Sequence, residues 1–146
     1  KTAVLVGLDG RKMSKSYGNT IPLFEPEKAL RKLIMRIKTN SLPPEAPKDP
    51  DTCTLFHIYQ AFATVEETAT MRTRYAQGIG WGEMKQTLFE YLNARLSEPR
   101  QRYQELLEKP DHIEQILKRG AARAREYSVP FLHELRRAVG IRPLDA

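Results

Sequence analysis

Apolar and polar positions recur at helical spacing along most of the chain, and the pattern predicts a series of amphipathic helices. Ala29, Leu30, Leu33, Ile34 and Ile37 define the buried face of the first, with Pro26 in its first turn and Lys28, Arg31, Lys32, Arg36 and Lys38 on its solvated side. The second buries Leu55, Ile58, Tyr59 and Phe62 behind a cap at Asp51 or Thr52. Thr64 and Glu67 have capping-box spacing for a third helix, which continues through Met71 and Tyr75 and stops at Gly78. A fourth begins near Glu83 and presents Met84, Leu88, Tyr91, Leu92 and Leu96. Ser97-Glu98-Pro99 then recaps or kinks it, and Tyr103, Leu106 and Leu107 carry it to Lys109. Asp111 and Glu114 read as another capping box, ahead of Ile113, Ile116, Leu117, Ala121 and Ala124. Ser128 is expected to cap a last helix with Phe131, Leu132, Leu135 and Val139 inside and Gly140 at its end. Residues 39–50 hold Pro43, Pro44, Pro47 and Pro50 and read as an extended connector.

One segment breaks the helical period. Val4-Leu5-Val6, entered through Thr2 and Ala3, reads as a β-strand, and nothing later in the chain supplies it with a neighbour. Its sheet is therefore expected upstream, in a longer protein of which this is a piece. Left alone, it should be frayed or paired edge to edge with another copy. The expected fold class is mainly α: a helical bundle behind one short strand and the loop of residues 7–19. Residues 1–24 form one part, and 25–146 form the helical domain.

Composition narrows the class only a little. With 146 residues, 40% hydrophobic and 29% charged, the chain can bury a core of its own. No apolar run approaches the ~20 residues of a membrane span, and no secretory pattern opens the sequence. The lone cysteine, Cys53, excludes an internal disulfide and reads as a small core residue of a protein from a reducing compartment. The net charge of +6 is concentrated at the two ends, residues 1–50 and 98–146, which is compatible with a polyanionic partner.

Candidate chemistry lies in Gly7-Leu8-Asp9-Gly10-Arg11-Lys12-Met13-Ser14-Lys15-Ser16-Tyr17-Gly18-Asn19. Lys12, Ser14, Lys15 and Ser16 bring two ammonium groups and two hydroxyls together, all able to donate to phosphate oxygens. Glycines on either side suit a loop that closes over a ligand. Solvated lysine- and serine-rich loops are common, and Gly7-Leu8-Asp9-Gly10 also fits a weak RNA-binding GxxG pattern.

The run from Lys12 to Ser16 spells KMSKS, and this region resembles the signature loop of class I aminoacyl-tRNA synthetases. Tyr17-Gly18-Asn19-Thr20-Ile21-Pro22, Asp49-Pro50-Asp51 and the segment from Tyr75 to Gly82 are similar to the bacterial tryptophanyl branch of that family. The resemblance implies a Rossmann domain, a HIGH element and a tryptophan pocket lying outside this chain, so that the isolated chain is inactive. It further implies ATP with Mg2+ as substrate, tRNA(Trp) and tryptophan as partners, no tightly bound cofactor, a homodimeric whole enzyme and a cytoplasmic location. On this resemblance, Lys15 is the main transition-state cation and Lys12 assists on the phosphates. Ser14 and Ser16 support the closed loop, Met13 lies where its backbone nears the adenine, and Ala3 and Val4 flank that base. A single such donor contributes on the order of 3 kcal/mol when it meets charge that develops only in the transition state.

Other constellations are weaker. His57, His112 and His133 share no metal-ligand spacing, and Gly78-Ile79-Gly80-Trp81-Gly82 reads as a turn between helices because no strand precedes it. Arg119, Arg123, Arg136 and Arg137 are candidate contacts to the tRNA backbone; a solvated, salt-bridged face explains them equally well. A non-catalytic helical RNA-binding or adaptor module, or a tyrosyl enzyme, remains the alternative reading.

Overall fold

Five helices are present in the computed structural model, which describes residues 4–141: α1 (Glu27–Met35), α2 (Thr54–Phe62), α3 (Val65–Gln77), α4 (Trp81–Leu107) and α5 (Pro110–Ala138). Short 3-10 turns occupy Lys15–Tyr17 and Pro50–Thr52. The chain divides into two compact units, residues 1–101 and 102–146.

In the first unit the helical period translates directly into a core. Leu30, Ile34 and Ile37 from α1 and its exit meet Leu55, Phe56, Ile58 and Tyr59 of α2, Met71 and Tyr75 of α3, and Met84, Leu88, Phe89, Leu92 and Leu96 of α4. Burial of this set supplies the main driving force for the unit. Phe56 and Tyr75 pack edge to face, with ring centroids 5.3 Å apart. Cys53 is buried among them, its Sγ 3.3 Å from the Tyr75 hydroxyl. The solvated side of α1 is as expected, except that Arg31 reaches Gln86 of α4 at 3.0 Å.

The Thr64 capping box is present in full: Thr64 Oγ1 accepts from the Glu67 amide, and Glu67 Oε2 accepts from the Thr64 amide. Gly78 ends α3 at φ 96°, where a Cβ would lie 2.6 Å from the Glu45 carbonyl oxygen, so the turn needs glycine twice over. Neither Asp51 nor Thr52 caps α2. Asp49 instead accepts from the Asp51 amide and opens the intervening 3-10 turn, leaving Cys53 at the start of the helix with no side-chain cap. The trigger is Pro50, whose fixed φ suits the first position of a turn that begins one residue earlier.

The connector is folded, not merely extended. Lys48 is 4% exposed, and its Nζ donates to the carbonyls of Pro43 (2.8 Å), Pro44 (3.1 Å) and Ala46 (2.9 Å). It also lies 5.3 Å from the Trp81 ring centre, and the Trp81 indole N–H donates to Asn40.

Three further expectations are overturned. Val4–Val6 is not a strand; among the described residues there is only an isolated antiparallel bridge between Val6 and Lys12. The turn at residues 7–10 folds the following loop back onto this segment, where the Leu5 carbonyl accepts from the Met13 amide at 2.9 Å. Asp111 does not cap a helix, because Pro110 takes the first helical position and Lys109 the cap; Glu114 pairs with Lys118 at 3.2 Å. Nor does Ser128 start a new helix. The second unit contains α5 as one continuous helix through Pro130, and it has no buried residue. Strong helix formers on both sides, from Ala121 to Glu126 and from Leu132 to Ala138, carry the helix across the hydrogen bond that proline deletes. Ile116, Leu117, Phe131, Leu132, Leu135 and Val139 are consequently exposed, not internal.

Candidate active-site loop

The loop is built from backbone outward. Gly7 N–H donates to Arg11 O (2.7 Å), Gly10 N–H to Gly7 O (3.1 Å) and Met13 N–H to Leu5 O (2.9 Å), which closes a tight reversal over residues 5–13. Leu8 N–H then donates to Asn19 O (3.0 Å), joining the two ends of the loop, and Lys38 N–H to Leu8 O (3.2 Å) ties its base to the exit of α1. The signature ends in the 3-10 turn Lys15–Tyr17, where Ser14 and Ser16 share a hydroxyl–hydroxyl hydrogen bond of 2.8 Å.

Asn19 sits at the centre, 3% exposed. Its Oδ1 accepts from the Ser14 amide (2.8 Å), while Nδ2 donates to Asp9 Oδ1 (2.7 Å) and Lys12 O (3.1 Å). Asp9 also pairs with Arg11 at 2.6 Å, and the Arg11 guanidinium lies 4.5 Å from the Tyr17 ring centre. The Asn19 hydrogen bond, reinforced by Arg11, holds the Asp9 carboxyl down at about 2, well below the ordinary 3.8. Gly7 is required by proximity: a Cβ there would fall 2.5 Å from Asn19 Cγ.

Of the sequence-derived residues, Lys12, Lys15 and Ser16 are exposed on the loop, and Met13 and Ser14 are half-buried. Neither lysine is in an ion pair among the described residues, so both ammonium groups are available to an anion. Val4 is exposed, and Ala3 lies outside the described residues. Arg119, Arg123, Arg136 and Arg137 are all exposed on α5. Arg119 and Arg123 are one turn apart, and Arg137 follows about five turns after Arg119, so these three share a side of the helix and Arg136 is turned away from them. No group of three or more His, Cys, Asp or Glu able to hold a metal occurs among the described residues.

The family model described as tRNA synthetases class I (W and Y) matches residues 1–97, which contain the whole loop and the helices through Leu96. The chain belongs to this family. Within this class I group, the chain is 56% identical over 142 residues to the tryptophan–tRNA ligase of Pseudomonas aeruginosa, covering 97% of the chain and 32% of that protein. To the tryptophan–tRNA ligase of Neisseria meningitidis it is 53% identical over 141 residues, covering 97% and 42%. The crystal structure of tryptophanyl-tRNA synthetase from Campylobacter jejuni, complexed with ADP and tryptophan, superposes with a TM-score of 0.87 at 42% identity, over 94% of this chain and 44% of that one. The chain thus spans about a third of the length of the curated relatives it matches. Asn19 was legible only as part of the motif, since an asparagine after a glycine signals a turn and nothing in its type announces burial. Lys48 carried no signal at all among its prolines.

Proposed function

We propose that this chain is the C-terminal portion of a tryptophan–tRNA ligase, which activates tryptophan with ATP and transfers it to tRNA(Trp). Residues 1–24 complete the ATP site of the catalytic domain, and 25–146 are the helical domain that faces tRNA. As tryptophan's carboxylate attacks the α-phosphate, charge accumulates on the departing pyrophosphate. Lys15 and Lys12 meet that charge, with Ser14 and Ser16 shaping the loop and Met13 beside the adenine. Mg2+ enters with ATP as part of the substrate. The tryptophan pocket lies outside this chain, Arg119, Arg123 and Arg137 contact the tRNA backbone with Arg136 nearby, and the whole enzyme is a cytoplasmic homodimer. Among the described residues no helix is long and apolar enough to cross a membrane.

The observation that carries this reading is the combination of two exposed, unpaired ammonium groups with a loop backbone held by the hydrogen bonds of a buried asparagine. Charge presented from a fixed frame needs little reorganisation when the transition state forms. The test is tryptophan-dependent ATP–pyrophosphate exchange by the full-length protein containing this segment. Lys15→Ala should lower kcat about 100- to 1000-fold with the tryptophan KM retained. A variant as fast as its parent would refute the reading. An adaptor module would show no exchange in the parent either, and only salt-dependent RNA binding.

A further inference from the structure

We propose that Asn19, outside the five-residue signature, is the positioning residue of this loop: its carboxamide sets the backbone from which Lys12 and Lys15 reach the triphosphate. The inference rests on the loop function proposed above.

An asparagine in a solvated turn would leave its carboxamide in water. Here it is buried, as is Lys48 alone of the other polar side chains among the described residues, although Arg11, Lys12, Lys15, Ser16, Tyr17 and Gly18 around it are all exposed. Both of its N–H groups and its oxygen are used. The bonds to Lys12 O and Ser14 N bracket Met13, fixing the peptide units on either side of it. The direction in which Lys12 leaves the backbone, and in which the chain enters Lys15, follows from those two units. The third bond fastens the bracket to Asp9 on the opposite arm. Space for the carboxamide exists because residue 7 lacks a Cβ. The network holds no ammonium group, so the backbone is immobilised while the two cations are left to the ligand. Because a misplacement of ~1 Å can cost on the order of 100-fold in rate, a residue that never touches substrate can still govern kcat.

The test uses the same exchange assay on the full-length protein. Asn19→Ala should lower kcat about 10- to 100-fold, with the tryptophan KM within about twofold of the parent and the thermal midpoint little changed. Asp9→Ala should fall alongside it, whereas Asp9→Asn keeps an acceptor oxygen for Asn19 Nδ2 and should recover most of that loss. In a Lys12→Ala/Lys15→Ala background, adding Asn19→Ala should cost less than about twofold, because its effect passes through those lysines. Retention of the parental kcat by Asn19→Ala, or the same loss in the background lacking both lysines, overturns the proposal. If Asn19→Ala does not fold, the Asp9→Ala and Asp9→Asn pair decides: equal rates overturn it. Lys15→Ala separates the two levels. A slow Lys15→Ala beside a fast Asn19→Ala defeats this inference alone, while a fast Lys15→Ala defeats the loop function and this inference with it.

Discussion

Lys48→Met is the most informative perturbation of the helical unit. Methionine matches the lysine stem in length and apolar character, so the substitution removes the ammonium group with little change in packing. Three hydrogen bonds are lost, to Pro43 O, Pro44 O and Ala46 O at 2.8, 3.1 and 2.9 Å. Each charge-assisted bond is worth about 1.5–3 kcal/mol net. Their sum overstates the effect, because the variant no longer desolvates a cation. Pro43 and Pro44 are also exposed, so their carbonyls can turn toward water. We expect a net loss of about 2–4 kcal/mol, or roughly 30- to 700-fold in the unfolding equilibrium. Urea unfolding followed by far-UV circular dichroism gives the value. The single tryptophan, Trp81, lies against Lys48 and reports the same transition by fluorescence. Lys85→Met is the control, since Lys85 Nζ makes one such bond, to Met35 O at 3.0 Å, and should cost about 1 kcal/mol. A Lys48→Met loss no larger than that of Lys85→Met would show that the three carbonyls do not depend on the cation, and the account of the connector would fail.

Two further outcomes are expected. Thr64→Ala removes the acceptor for the Glu67 amide and should destabilise the chain by about 1 kcal/mol, with Thr64→Ser largely restoring it; an unchanged urea midpoint would contradict the capping role. The second concerns acid. Tyr91's hydroxyl and the Thr64 amide hold the Glu67 carboxyl below its ordinary 4.5, and Arg72 does the same for Asp51 below 3.8. Carboxyls depressed in the folded state contribute stability that is present above those ordinary values and is lost as pH falls through the folded ones. Stability should therefore drop below about pH 4.5, with a shallower decline in Glu67→Gln. An identical acid limb in that variant would assign the dependence elsewhere.

How far the sequence reached depended on whether its signals were local. Helical periodicity at Leu30, Ile34, Leu55, Ile58, Met71, Tyr75, Met84, Leu88, Leu92 and Leu96 identified the core of the first unit, because four apolar faces close together in the chain could cover one another. The Thr64–Glu67 cap and the Gly78 stop were equally plain, since their bonds span three residues or fewer. The KMSKS run pointed to the family from five adjacent side chains. Tertiary structure decided the rest. Whether Val4–Val6 became a strand depended on which backbone groups lay beside it, and the loop's own reversal supplied only the single bridge from Val6 to Lys12. Whether Lys48 was solvent-facing or a buried hub depended on three carbonyls that turned inward together. Whether Asn19 was a turn residue or the keystone of the loop depended on Asp9 and Gly7, ten and twelve positions away. The apolar side of α5 shows the same limit from the other direction: a period states that a face is suited to burial, but only the packing partner determines that it is buried.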